Sequence, residues 1–161
     1  MSVDPELVVE QIDRSLRVLD DMDRFLAEQY PPGGGDDGPT RASRIVVAQI
    51  LENAYTAVET VLLRVSQSFE NSLEGDRWHG DLLDKMTLER KGIRPRVISD
   101  QTHRLLVELM RFRHFKRYYL DLDYDWEKLK YLVSVYRRCM PLVRQELLAF
   151  RSLLMESLRG A

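Results

Sequence analysis

The stretch HRLLVELMRFRHFKRYY, residues 103–119, decides the fold. Placed on a helix, His103, Leu106, Met110, Arg113 and Arg117 share one stripe at steps of three and four. A core-facing stripe therefore ends in two arginines one turn apart. Like charges at that spacing repel, and burying a guanidinium without a partner is unfavourable. The pair calls for a buried acid or a bound anion. His114 and Tyr118 form the next i, i+4 pair, about 100° around the helix. Phe112, Lys116 and Tyr119 form a third row.

Residues 111–119 hold four cations, one histidine and four aromatic rings. Two readings of this cluster stand side by side. Basic side chains in a last helical turn complement the macrodipole, and long ones snorkel from the edge of a core. Alternatively, arginine forks grip phosphate and rings stack on bases, which makes a phosphate or RNA site.

Outward from this segment the chain continues to read as helix. Asp4 as N-cap, Pro5 at the first helical position and Glu6 in the first turn open a helix over 4–30. Its Val9, Ile12, Leu16, Leu19, Leu26 and Tyr30 recur with helical spacing. PPGGGDDGP, residues 31–39, reads as a flexible loop. Thr40 caps the longest helix, which runs to about Asn71 with apolar positions from Val47 to Phe69. After a loop with Asp76 as N-cap, DLLDKMTLE (81–89) is a short third helix, and RKGIRPR (90–96) an irregular basic connection. Ser99 caps the fourth helix, residues 100–119, and DLDYD (121–125) is a turn. Asp125 caps a fifth that starts at Trp126, with Leu129, Leu132, Val133 and Tyr136 on one side. Pro141 either kinks it or starts a sixth segment. There is no internal repeat and no useful β-alternation. Residues 1–161 read as a single all-α domain, an up-and-down bundle of four to five helices.

Composition narrows the function. With 24 basic and 26 acidic residues the formal net charge is −2, so any anion site is a local patch. Cys139, the one cysteine, reads as a small buried apolar residue. The N-terminus has no signal-peptide pattern and no apolar run approaches a membrane span, so a soluble, cytoplasmic protein away from membranes is expected. Asp121, Asp123 and Asp125 open a calcium-loop spacing, but Trp126 and Leu132 stand where a glycine and a glutamate are required. His79, His103 and His114 are scattered without ligand-spaced cysteines, so no metal is expected. No phosphate loop, nucleophile elbow or dinucleotide fingerprint is present, and no cofactor is expected. Glu59 lies one turn after Tyr55 on the apolar half of the longest helix, where a carboxylate is either semi-exposed or paired.

Four blocks in order carry a resemblance: ENAYTAVETVLLRV (52–65), GDRWHGDLLDKM (75–86), GIRPRVIS (92–99) and ELMRFRHFKRYYLDLDYDWEKL (108–129). Over roughly residues 40–150 the chain resembles the HepT-like branch of the HEPN superfamily. The resemblance implies a helical bundle that homodimerises, partnered by a minimal nucleotidyltransferase in a prokaryotic toxin–antitoxin-type pair. It also implies RNA binding and, in active members, metal-independent ribonuclease activity.

The family's hallmark arginine falls on Arg113 and its polar follower on His114. The expected histidine position holds Tyr118. Where the partner modifies a tyrosine, that position here is Leu120, and the nearest tyrosines are Tyr118 and Tyr119. The implied catalytic set is Arg113, His114 and Tyr118, with Arg111, Lys116, Arg117 and Tyr119 toward RNA phosphate. The resemblance also places a glutamate at Glu59, the first candidate to hold Arg113 or Arg117. Metal-free RNA cleavage needs a base, an acid and a cation for the phosphorane charge. A phenol of ordinary pKa near ~10 is a poor base, so either His114 takes that part or the site only binds. The rival reading is a non-catalytic helical scaffold that binds a nucleotidyltransferase or a nucleotide.

Overall fold

The computed structural model describes residues 4–33, 38–70 and 78–160. Five helices follow in order: α1 (Pro5–Gln29), α2 (Arg41–Phe69), α3 (Trp78–Met86), α4 (Asp100–Tyr118) and α5 (Trp126–Arg159). No strand occurs among the described residues, only an isolated bridge between Arg90 and Arg94. Four starts carry the cap expected of them. Asp4 accepts from the Leu7 amide, Thr40 from Ser43, Ser99 from Thr102 and Asp125 from Glu127, at 2.9–3.2 Å. Each satisfies an amide that the first helical turn leaves unpaired. The N-cap expected at Asp76 lies outside the described residues, as do residues 34–37 of the expected flexible loop.

Side-chain pairs between helices fix the sense of packing. Asp13 meets Arg151 and Asp23 meets Arg144, so α1 and α5 run antiparallel. Thr56 meets Arg113 and Glu52 meets Lys116, so α2 and α4 also run antiparallel. α2 is the central element and contacts the other four helices. The buried residues of all five helices join in one cluster that includes Ile12, Leu51, Val58, Leu82, Leu106 and Val143.

Four expectations are corrected. First, α2 is long and apolar enough to cross a membrane by length and composition, contrary to the sequence reading; 56% of its most apolar 18-residue window is buried inside the bundle. A helix enclosed on most sides is apolar on most sides. Second, Pro141 does not start a sixth segment: α5 is continuous for 34 residues with the proline inside it. Tyr136, Cys139, Met140 and Val143 are all buried around it, and their packing holds the helix across one missing amide. Third, the buried side of α4 is Thr102, Leu105, Leu106, Leu109 and Phe112, so Phe112 is core and Arg117 is exposed. α4 is wedged against α2, α3 and α5, and that sector differs from a single heptad-like stripe. The third helix also begins earlier and ends earlier than expected, at Trp78 and Met86.

The basic connection before α4 is ordered by one side chain. Arg94 is 3% exposed. It reaches the Glu70 carboxylate and donates to the backbone carbonyls of Leu88, Pro95 and Lys85 at 2.9–3.0 Å. Gly92, at φ +74°, makes the turn that returns the chain to it. Glu146 of α5 accepts from the Ser99 amide and, at 2.5 Å, from the Thr102 hydroxyl, tying the start of α4 to α5. These ties set the register of α4 and hence the position of Arg113.

Candidate functional site

The site is assembled from three helices. α2 contributes Tyr55, Thr56 and Glu59, α3 contributes His79, and α4 contributes Arg113. Glu59 is only 6% exposed, because its helix is the centre of the bundle. A carboxylate there requires partners, and it has three. Arg113 grips it with both fork nitrogens, at 2.9 and 3.1 Å. The Tyr55 hydroxyl donates at 2.8 Å. His79 Nδ1 lies 2.7 Å from Oε2.

The environment bears on which ring nitrogen of His79 faces Glu59 as a donor. Glu59 faces a bidentate guanidinium and a phenol O–H, the surroundings of an ionised, accepting carboxylate. Nδ1 therefore carries a proton and donates to Glu59. Its 3.1 Å approach to the Arg113 Nη2 is then a contact between two donors and contributes no hydrogen bond. Nε2 has no hydrogen-bond partner among the described residues. Trp78 stacks on the ring at 3.7 Å and fixes its plane. Such an arrangement, a carboxylate behind an imidazole, orients a base.

Arg113 is held on two further sides. Its guanidinium lies 4.8 Å over the Tyr55 ring, and one nitrogen reaches the Thr56 hydroxyl at 3.3 Å. Burial, then the charge and hydrogen bond of Glu59, push the Tyr55 phenol far above its ordinary range, with Arg113 opposing. Tyr55 thus stays a donor to Glu59 at any ordinary pH.

A cleft of about 1010 Å³ opens in front of this cluster. His79, Arg113, His114, Arg111 and Arg117 all line it, and so do Glu52, Asp81 and Asp84. The remaining sequence-derived residues lie differently. Lys116 is turned to α2, where it pairs with Glu52 at 2.6 Å and Gln49 at 2.9 Å. Tyr118 is 69% exposed and sets its ring edge-on to His114 at 5.3 Å, outside the cleft lining. Tyr119 caps α4 and donates to the Asp123 carbonyl at 2.8 Å. Burial, then Asp121 and Asp123, hold its phenol above the ordinary value. Among the described residues no three histidine, cysteine or carboxylate side chains converge as a metal site.

His79 is the residue that sequence reasoning passed over. It lies 34 positions from Arg113 with no motif spacing between them. The one local signal is its place beside Trp78 at the head of a short helix. Only the packing of α3 on α2 and α4 turns it toward Glu59.

The fold and site define an all-α bundle in which an arginine–glutamate pair faces a cleft lined by two histidines and by side chains of both charges. Residues 46–154 match the family model described as HepT-like protein, so the chain belongs to the HepT-like family. No curated protein and no solved structure matches the chain.

Proposed function

We propose that this HepT-like protein acts on RNA as a metal-independent endoribonuclease, as one half of a prokaryotic toxin–antitoxin-type pair. The observation that carries the reading is the joint presence of His79 and His114 around Arg113 in one cleft. His79 Nε2, oriented through Nδ1 by Glu59, takes the proton of the RNA 2′-hydroxyl. The freed oxygen attacks the adjacent phosphorus, and the bond to the 5′ oxygen breaks. His114, in its protonated form, returns a proton to that leaving oxygen. The products are a 2′,3′-cyclic phosphate and a free 5′-hydroxyl. Arg117 and the donors of Arg113 not engaged by Glu59 face the phosphorane charge. Tyr118, edge-on to His114 at 5.3 Å, orients that ring.

The family's usual company supports three further elements of the proposal: a homodimer, a minimal nucleotidyltransferase as partner, and a cytoplasmic location. A second reading is favoured by one feature. Arg113 spends two fork nitrogens on Glu59, as a purely structural arginine would. On that reading the chain is a non-catalytic scaffold for the nucleotidyltransferase or a nucleotide.

The test is cleavage of a fluorescent single-stranded RNA in EDTA by wild type, His79→Gln and His114→Gln. Each imidazole supplies roughly 10²- to 10⁴-fold as a positioned acid or base, so each variant should lose at least about 10²-fold. The rate should be bell-shaped in pH. Wild type without cleavage, across a purified preparation with intact helicity, would leave the scaffold reading in place.

A further inference from the structure

A second concavity of about 750 Å³ lies between the end of α4, the α4–α5 connector and the first turns of α5. Its walls are aromatic. Phe115 and Tyr119 stack at 4.9 Å, and Tyr119 meets Tyr124 at 5.4 Å. Tyr131 and Leu132 line it from α5. Phe115 and Tyr131 are 45% and 51% exposed, so the rings at its mouth are not spent on core packing.

Its charge balance is more acidic than that of the Arg113 cleft, where Glu52, Asp81 and Asp84 face three arginines. Glu108, Asp123, Asp125 and Glu127 line it against only Arg111 and Lys128. Asp125 is occupied as the cap of α5, and the Lys128 ammonium sits 5.9 Å over the Phe115 ring. Carboxylates in excess repel a phosphate. The same carboxylates accept hydrogen bonds from amino groups, and a base amino group can only donate. The half-exposed Phe115 and Tyr131 rings offer stacking faces beside them. The groove and the cleft also share a wall, because Arg111 and Phe115 line both. One polymer therefore can lay its phosphate in the cleft and an adjoining ring in the groove.

Resting on the RNA reading above, we infer that this groove is a nucleobase site. It takes one unpaired base of single-stranded RNA that bears an exocyclic amino group. A duplex cannot fill it, since its bases are stacked and their amino groups are already paired.

The test is fluorescence anisotropy of the full-length protein, in EDTA, with labelled single strands of about eight nucleotides, within the usual site size of such proteins. Oligocytidylate and oligouridylate have rings of similar size and differ in an amino group against a carbonyl. Oligocytidylate should bind about tenfold tighter, and a blunt RNA duplex more weakly than either. Tyr131→Ala and Phe115→Ala should each weaken oligocytidylate by roughly tenfold, the scale of one lost base stack. Both side chains are half-exposed, and unchanged circular dichroism will show that the variants fold. Equal binding of the two strands, unmoved by Tyr131→Ala, overturns the base site and leaves the RNA reading standing. Wild type that binds no RNA overturns both. If Tyr131→Ala reduces self-association by light scattering and leaves RNA affinity unchanged, the groove belongs to a second copy of the chain and the base site is wrong.

Discussion

The pairing of Arg113 with Glu59 predicts a specific pattern of stability. Replacing Arg113 by Leu removes two fork contacts, at 2.9 and 3.1 Å, from a carboxylate whose side chain is only 8% exposed. Breaking one side of a buried ion pair costs about 3–5 kcal/mol, because the remaining charge is left uncompensated. Arg113 itself keeps 19% side-chain exposure, and Tyr55 and His79 still donate to Glu59 in the variant. Those features place Arg113→Leu at the lower end, about 3 kcal/mol. For a chain of this size that is a fall in Tm of roughly 6–12 °C. Adding Glu59→Gln removes the stranded charge, while the amide oxygen can still accept the Tyr55 hydroxyl. The double variant should therefore return to within about 1.5 kcal/mol of wild type, the net scale of a single hydrogen bond. Glu59→Gln alone should be destabilising, since a neutral amide faces a guanidinium it cannot satisfy on both nitrogens. The assay is urea and thermal unfolding followed by circular dichroism, read as a double-mutant cycle. If Arg113→Leu melts within about 2 °C of wild type, or the double variant is no more stable than Arg113→Leu, the argument from stranded charge is refuted.

Three other outcomes follow from particular contacts. Arg94→Lys should lose about 3 kcal/mol or more despite keeping the charge, because an ammonium cannot reproduce a fork shared by Glu70 and three carbonyls; urea unfolding at wild-type midpoint would contradict this. Gly38→Ala should cost about 1–3 kcal/mol, since Gly38 has φ +73° and an added Cβ would run into the Trp126 indole; a thermal melt equal to wild type would count against the close approach. Burial, and then Glu146, push the Cys139 thiol up to about 12. At pH 8 it is protonated, and the reactive thiolate forms only as pH rises toward that value. Iodoacetamide should label native protein negligibly at pH 8 and urea-unfolded protein fully, and rapid native labelling would show an accessible, ordinary thiol.

The helices themselves were legible in the amino-acid order. Asp4, Thr40, Ser99 and Asp125 cap the helices they were expected to cap, because a cap satisfies an amide two or three residues away. The periodicity of Leu129, Leu132, Val133 and Tyr136 likewise marked a buried face, since helical spacing is a local property. Local signals could not decide Pro141, whose tolerance depends on the core packed around it. Nor could they rotate α4 correctly. The burial of Phe112 and the exposure of Arg117 are set by three neighbouring helices at once. In the site, the chemistry of two neighbouring guanidinium groups called for an acid or a bound anion, and the family resemblance pointed to Glu59, whose own position left it either semi-exposed or paired. His79 gave no such sign. An imidazole becomes an oriented base only through what stands behind it, and what stands behind His79 is a carboxylate 20 residues away on another helix. Charge and capping act over one or two turns of chain, whereas orientation of a side chain by a partner exists only once the helices have packed.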